Sequence, residues 1–142
     1  MDKQIMTFQI FIDKTQISDL KSPCGSVTMI PFTGRVESEL FSGEILPGGV
    51  DVQVEDPAGT RHMCARYLFR GRDSAGAECQ LFVENNAYYA PAKGTAPFIS
   101  ACPKFLTDSE TLCPYLCQPR FRAEVHNAEG GVEIRIIDVL GE

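Results

Sequence analysis

The sequence predicts a mostly β protein, a single antiparallel up-and-down barrel of about eight or more strands with one short helical turn. Three observations carry that expectation. Apolar and polar residues alternate with period two along most of the chain, no window keeps a 3.6-residue apolar period over three turns, and turn residues interrupt the pattern roughly every 8 to 12 residues. Closure is favoured over an open sandwich because a long meander would otherwise leave edges to protect.

The first strand is expected over Ile5 to Ile12, "IMTFQIFI", and Ile17 to Leu20 reads as either a short continuation or a single helical turn. Gly25 to Val36 forms a second strand. Pro31 within it cannot donate to a ladder and so marks an edge, a bulge or a bend, which Gly34 also suits. Phe41 to Leu46 and Val50 to Glu55 follow as third and fourth strands, joined tightly at Pro47-Gly48-Gly49. Asp56-Pro57-Ala58-Gly59 turns the chain into Arg61 to Gly71, and "DSAG" at Asp73 to Gly76 turns it into Ala77 to Asn85. These five elements read as a meander of sequential hairpins.

From Asn86 to Gln118 the alternation degrades and prolines recur. A structureless loop of that length is unusual in a compact domain, so a short strand is expected around Phe98 to Cys102 and a helical turn after Thr107. Thr107 or Asp108 can cap that turn. Arg120 to His126 and Val132 to Leu140 then close the chain as a hairpin around "NAEGG", with Phe121, Ala123 and Val125 turned inward against Val132, Ile134 and Ile136.

The 142 residues are 44% apolar and 23% charged, enough for one domain, residues 1–142, with a proper core. A net charge of −6 with no basic cluster argues against a nucleic-acid partner. No segment has the apolar length of a membrane helix and the N-terminus lacks the features of a secretory signal, which together lead to the expectation of a cytoplasmic protein without a membrane partner. The six cysteines therefore read as thiols. Cys113 and Cys117 in "CPYLC" are too far apart for a C-x-x-C redox motif, and with only Cys102 and His126 as further ligand candidates no metal site is expected. A nucleophile elbow, a P-loop and a dinucleotide fingerprint are all absent, so neither nucleophilic catalysis nor a cofactor is expected.

Several motifs in order, "FTGRVESELFSGEILPGGVDVQ", then "ARY" at Ala65 to Tyr67, "DSAG", "VENN" at Val83 to Asn86 and the closing "GGVEIRI", resemble the DUF3237 (UPF0311) proteins over nearly the whole chain, from about Gly25 to Val139. The resemblance implies a calycin-like barrel with a central cavity, of the lipocalin kind. Many members carry tryptophan after the motif aspartate, where this chain has Val52.

The strand from Val50 to Glu55 places Asp51, Gln53 and Glu55 on one face and three valines on the other. Alternation alone does not say which face is inward, and a small barrel would ordinarily turn the valines in. The resemblance favours an inward Asp51, because the motif Asp51, Arg66 and Asn85 fall on consecutive elements. A buried Asp51 needs a partner, for which Arg66 is the candidate, with Asn85 or Glu84 sharing the network. The alternative for Arg66 is an exposed pair with an acid such as Glu78. Tyr88, Tyr89, Phe98 and Phe105 form either a lid over the barrel mouth or a plug in its end.

Three functions compete on this reading. The first is a barrel binding a small, mostly apolar molecule whose polar end meets Asp51, Arg66, Asn85 and Tyr88. An acid/base enzyme of the isomerase, hydratase or cyclase type would instead use Asp51 or Glu84 as the base on a carbonyl-bearing substrate, with Arg66 and Tyr88 steadying negative charge. Third is a structural subunit that docks a partner or forms a homo-oligomer.

Overall fold

The computed structural model describes residues 1–90 and 100–141. Among these residues eleven strands form one sheet: β1 (Lys3–Phe11), β2 (Ser18–Ser22), β3 (Gly25–Pro31), β4 (Thr33–Glu37), β5 (Phe41–Ile45), β6 (Val50–Glu55), β7 (Arg61–Asp73), β8 (Glu78–Tyr89), β9 (Ser100–Thr107), β10 (Phe121–Ala128) and β11 (Gly131–Asp138). A 3-10 turn at Lys14–Gln16 precedes β2, and a short α-helix, α1 (Cys113–Leu116), follows β9. Neighbouring strands are antiparallel throughout.

Closure comes from β7, whose partner on one side is β8 and on the other is β6 followed by β5. Taken around the barrel, β1, β4, β5, β7, β8, β9, β10 and β11 succeed one another in chain order and β11 returns to β1. This is the closed, eight-stranded up-and-down barrel the alternation predicts. The remaining strands, β6, β3 and β2, extend the wall beyond one end of β5 and β4.

Two expected elements differ from the structure. The strand expected over Gly25 to Val36 is two strands broken at Phe32, beside the proline that cannot donate. The connection at Pro47-Gly48-Gly49 is not a hairpin turn. Because β5 and β6 both lie antiparallel to the same edge of β7, the chain continues forward through 46–49 as a bulge in one long strand, with Gly48 at φ +111° and Phe32 N–H donating to Gly49 O at 3.1 Å. Ile17 to Leu20 resolves as a strand rather than a helical turn. The strand expected around Phe98 to Cys102 is β9, which continues to Thr107, and Phe98 lies outside the described residues.

Capping after β9 also falls elsewhere. Ser109 Oγ accepts the Leu112 N–H at 3.1 Å and donates to Asp73 Oδ2 at 2.6 Å, while Asp108 accepts the Gln80 N–H. This ties the helical segment to the β7–β8 turn.

Residues at odd positions of β7 and β8 point inward, with Met63, Tyr67 and Phe69 facing Leu81, Val83 and Ala87. Half of the barrel is filled by rings. Phe8 lies 4.8 Å from Phe69 and 6.0 Å from Tyr67, and Phe41 is 6.1 Å from Phe69. Burying such a cluster contributes several kcal/mol, at roughly 1.5–3 kcal/mol per apolar side chain. The other half stays partly open.

Candidate functional site

Above the Tyr67 ring the barrel holds a cavity of about 200 Å³. Its wall is mainly aliphatic, with Ile10, Ile30, Met63, Val132 and Ile134 among the contributors, because each occupies an inward position on its strand. Three polar side chains break that surface: Asp51, Gln53 and Asn85.

Asp51 faces the interior because β6 pairs it with Ala65, itself on the inward face of β7. The valines of β6 therefore face outward, the reverse of what a small barrel's apolar lining would suggest. Gln53 Nε2 donates to Asp51 Oδ2 at 2.8 Å, and Arg61 Nη1 donates to Gln53 Oε1 at 2.9 Å. Arg61 also pairs with Glu55 at 3.2 Å, so the chain of contacts runs from the cavity to a half-exposed ion pair. Burial pushes the Asp51 carboxyl above the ordinary carboxylate range, with the Gln53 bond and the Arg61 charge pulling against it. The Tyr67 hydroxyl is also pushed up, by burial first and then by the Asp51 charge.

Two oxygens stand out. Asp51 Oδ1 and Asn85 Oδ1 are buried and meet no hydrogen-bond donor. Asn85, only 8% exposed, shares its face with Leu81 and Val83. Most buried polar atoms are paired, so two orphans on one cavity are exceptional.

Of the residues picked from sequence, the structure brings Asp51 and Asn85 together on this cavity and places the others elsewhere. Arg66 pairs in register with Val50 and Glu84, which sets it on the outer face. Its side chain is 64% exposed and its Nε lies 3.1 Å from Glu84 Oε2, an exposed pair with Glu84 rather than Glu78. Glu84 also accepts from Asn86 Nδ2, and that bond leads the influences that lower its pKa. Tyr88, 65% exposed, stacks on His62 outside the barrel at 4.6 Å. It does not roof the cavity. Phe105 is core, 5.5 Å from Phe121, which favours the plug over the lid for that ring.

Sequence reading missed Gln53 as the hydrogen-bond partner of Asp51, Arg61 behind Gln53, and Tyr67 as the floor. Their signal was parity. Met63, Tyr67 and Phe69 are the apolar set of β7, so Arg61 shares their face and Arg66 does not.

Among the described residues no three His, Cys, Asp or Glu side chains are grouped to hold a metal ion, and all six cysteines are free thiols. No helix among them is long and apolar enough to cross a membrane.

The sequence profile of a family described as "Protein of unknown function (DUF3237)" matches residues 3–133. The chain belongs to the DUF3237 family. A UPF0311 protein of Clostridium acetobutylicum is 32% identical to it over 85 residues, which cover 59% of this chain and 51% of that relative. The chain thus spans about half the length of the curated relative it matches. Solved structures share the DUF3237 chain's fold. A crystal structure of a protein with unknown function from Clostridium acetobutylicum superposes with a TM-score of 0.73 at 23% identity, covering 96% of this chain and 95% of that one. A β-barrel-like protein from Acinetobacter baumannii gives 0.69 at 19% identity, with the same coverage.

Proposed function

We propose that this DUF3237 protein binds a small, mostly apolar molecule inside its barrel, with the polar end of that molecule against Asp51 and Asn85. The observation that carries the reading is the pair of orphaned oxygens on a mainly apolar cavity. Binding sites commonly combine an apolar wall with a few convergent polar groups that fix orientation. The cavity's volume of about 200 Å³ exceeds the roughly 150 Å³ that suffices for benzene in an engineered apolar cavity.

Asp51 also supports a second reading, acid/base chemistry on a small substrate. A carboxyl with raised proton affinity and one free oxygen in a cavity is suited to proton transfer. Arg66, Glu84 and Tyr88, on the outer face, have no part in it.

Crystals of protein purified from its native host, with the cavity inspected for electron density and the extract analysed by mass spectrometry, test the binding reading. Density beside Asp51 and Asn85 with a matching extracted mass supports it. A cavity holding only water, together with no small molecule in the extract, would sink it.

A further inference from the structure

The two orphaned oxygens are both acceptors, and this narrows the chemistry of what they meet. We infer that the group bound between Asp51 and Asn85 is the protonated amine of a small apolar amine. The inference rests on the binding reading above and adds the class of the head group.

Geometry supplies the first argument. Ile30, Asp51, Ala65 and Asn85 are successive cross-strand neighbours on the inward face of β3, β6, β7 and β8. Asp51 and Asn85 are therefore two strand spacings apart, about 10 Å between backbones. The position between them is Ala65, whose side chain ends at Cβ. All three residues line the same cavity, and the short Ala65 side chain leaves room between the two polar ones for a head group.

Hydrogen bonding supplies the second. An ammonium carries three donors and no acceptor, so it has donors for both oxygens and brings no lone pair of its own into a mainly apolar cavity. A hydroxyl offers one donor for two waiting acceptors and adds lone pairs that need donors in turn. A ketone or ester has no donor. A carboxylate or phosphate adds a like charge to Asp51 and is acceptor-only.

Charge supplies the third. Among the described residues the one side chain donating to Asp51 is the neutral Gln53 amide, and the nearest cation along the contact chain, Arg61, is engaged by Glu55 and Gln53. Removing a carboxylate from water without a direct countercharge is costly. An ammonium against Oδ1 supplies that countercharge, while the aliphatic wall and the Tyr67 ring enclose an organic body of about one ring or a short branched chain.

Four probes of similar shape separate the possibilities: benzylamine, benzyl alcohol, toluene and benzoate, titrated at neutral pH into the full-length wild type and into Asp51→Asn, with binding followed by NMR. The expected result is that benzylamine binds wild type more tightly than the other three by about tenfold or more, shifts the Asn85 and Ala65 resonances, and loses that advantage in Asp51→Asn while benzyl alcohol does not. If benzyl alcohol, toluene or benzoate binds wild type as tightly as benzylamine, the amine assignment is wrong and cavity binding stands. Benzylamine that keeps its advantage in Asp51→Asn, or that shifts only resonances of the outer face, overturns the assignment too. Failure of all four probes to perturb any cavity resonance removes the binding reading along with it.

Discussion

Gln53 holds Asp51 by one oxygen only: its Nε2 donates to Oδ2 at 2.8 Å, and Oδ1 is left buried without a donor. The carboxylate is thus half satisfied in a wall that disfavours its charge.

Asp51 gives the protein an unusual pH response. Its affinity for a proton is raised in the fold, chiefly by burial and against the pull of Gln53 and Arg61, so its contribution favours folding when the proton is on. That contribution is lost as the pH rises from the ordinary carboxylate range through the raised folded value. Asp51→Asn is expected to be more stable than wild type at neutral pH, with the difference shrinking as the pH falls below the ordinary range. Urea midpoints across a pH series check this, and a variant less stable at pH 7 would contradict it.

Gln53→Leu removes the donor and leaves both carboxylate oxygens without one. The expected cost at neutral pH is about 1–3 kcal/mol, the penalty for stranding a buried polar group. In an Asp51→Asn background the same change should cost less, because no charge is left to strand. A double-mutant cycle by denaturant unfolding measures the coupling, and strictly additive losses would mean that the two side chains act independently.

Asp138 has the opposite pH sign. Burial tends to raise its pKa, but donors from Tyr115 Oη at 2.5 Å, Arg120 Nε at 2.9 Å and the Leu140 N–H outweigh that and hold it below the usual range. Burial and the same contact push the Tyr115 hydroxyl up to about 12. Stability from Asp138 is therefore present above the ordinary carboxylate range and lost as the pH falls through the depressed folded value. Tyr115→Phe is expected to cost about 1.5–3 kcal/mol near pH 7, as a bond to a charged group does, and less in acid. A penalty that does not change between pH 7 and pH 3 would show that the ring's packing, not its hydroxyl, matters.

Gly71 and Gly43 face each other where β5 crosses β7, and a Cβ on Gly71 would stand 1.9 Å from the Ser42 carbonyl oxygen. Gly71→Ala must push the two strands apart. Overpacking of this kind costs about 1–3 kcal/mol, and the loss should appear in thermal unfolding together with faster amide exchange along β5. Unchanged exchange there would place the relaxation elsewhere.

Much of the barrel was legible because period two survives wherever one face is buried. Leu81, Val83 and Ala87, or Phe121 and Ala123, declare their inward side without help. Two things were not legible. Strand partners depend on register, and nothing in "ILPGGV" distinguishes a turn that reverses the chain from a bulge that carries it forward past the same neighbour. The direction of Asp51 depends in turn on that register, since its own strand alternates cleanly either way. The outward direction of Arg66 was legible, for the apolar parity of β7 sets Arg66 apart from Met63 and Tyr67.

The bulge at 46–49 has one further consequence. Between Ile45 and Val50 the chain takes five steps while β7 takes three, from Phe69 to Arg66, so the surplus is even and the inward set of β5 stays in phase with Asp51 and Gln53. Insertion or deletion of a single residue there would reverse the phase of β6, sending Asp51 outside and Val50 and Val52 within. Two residues would leave the lining as it is. The polarity of the chamber is thus set by whether a short run of chain is odd or even in length, and one indel would turn a hydrogen-bonding chamber into a purely hydrocarbon one without altering any codon of the strand that lines it.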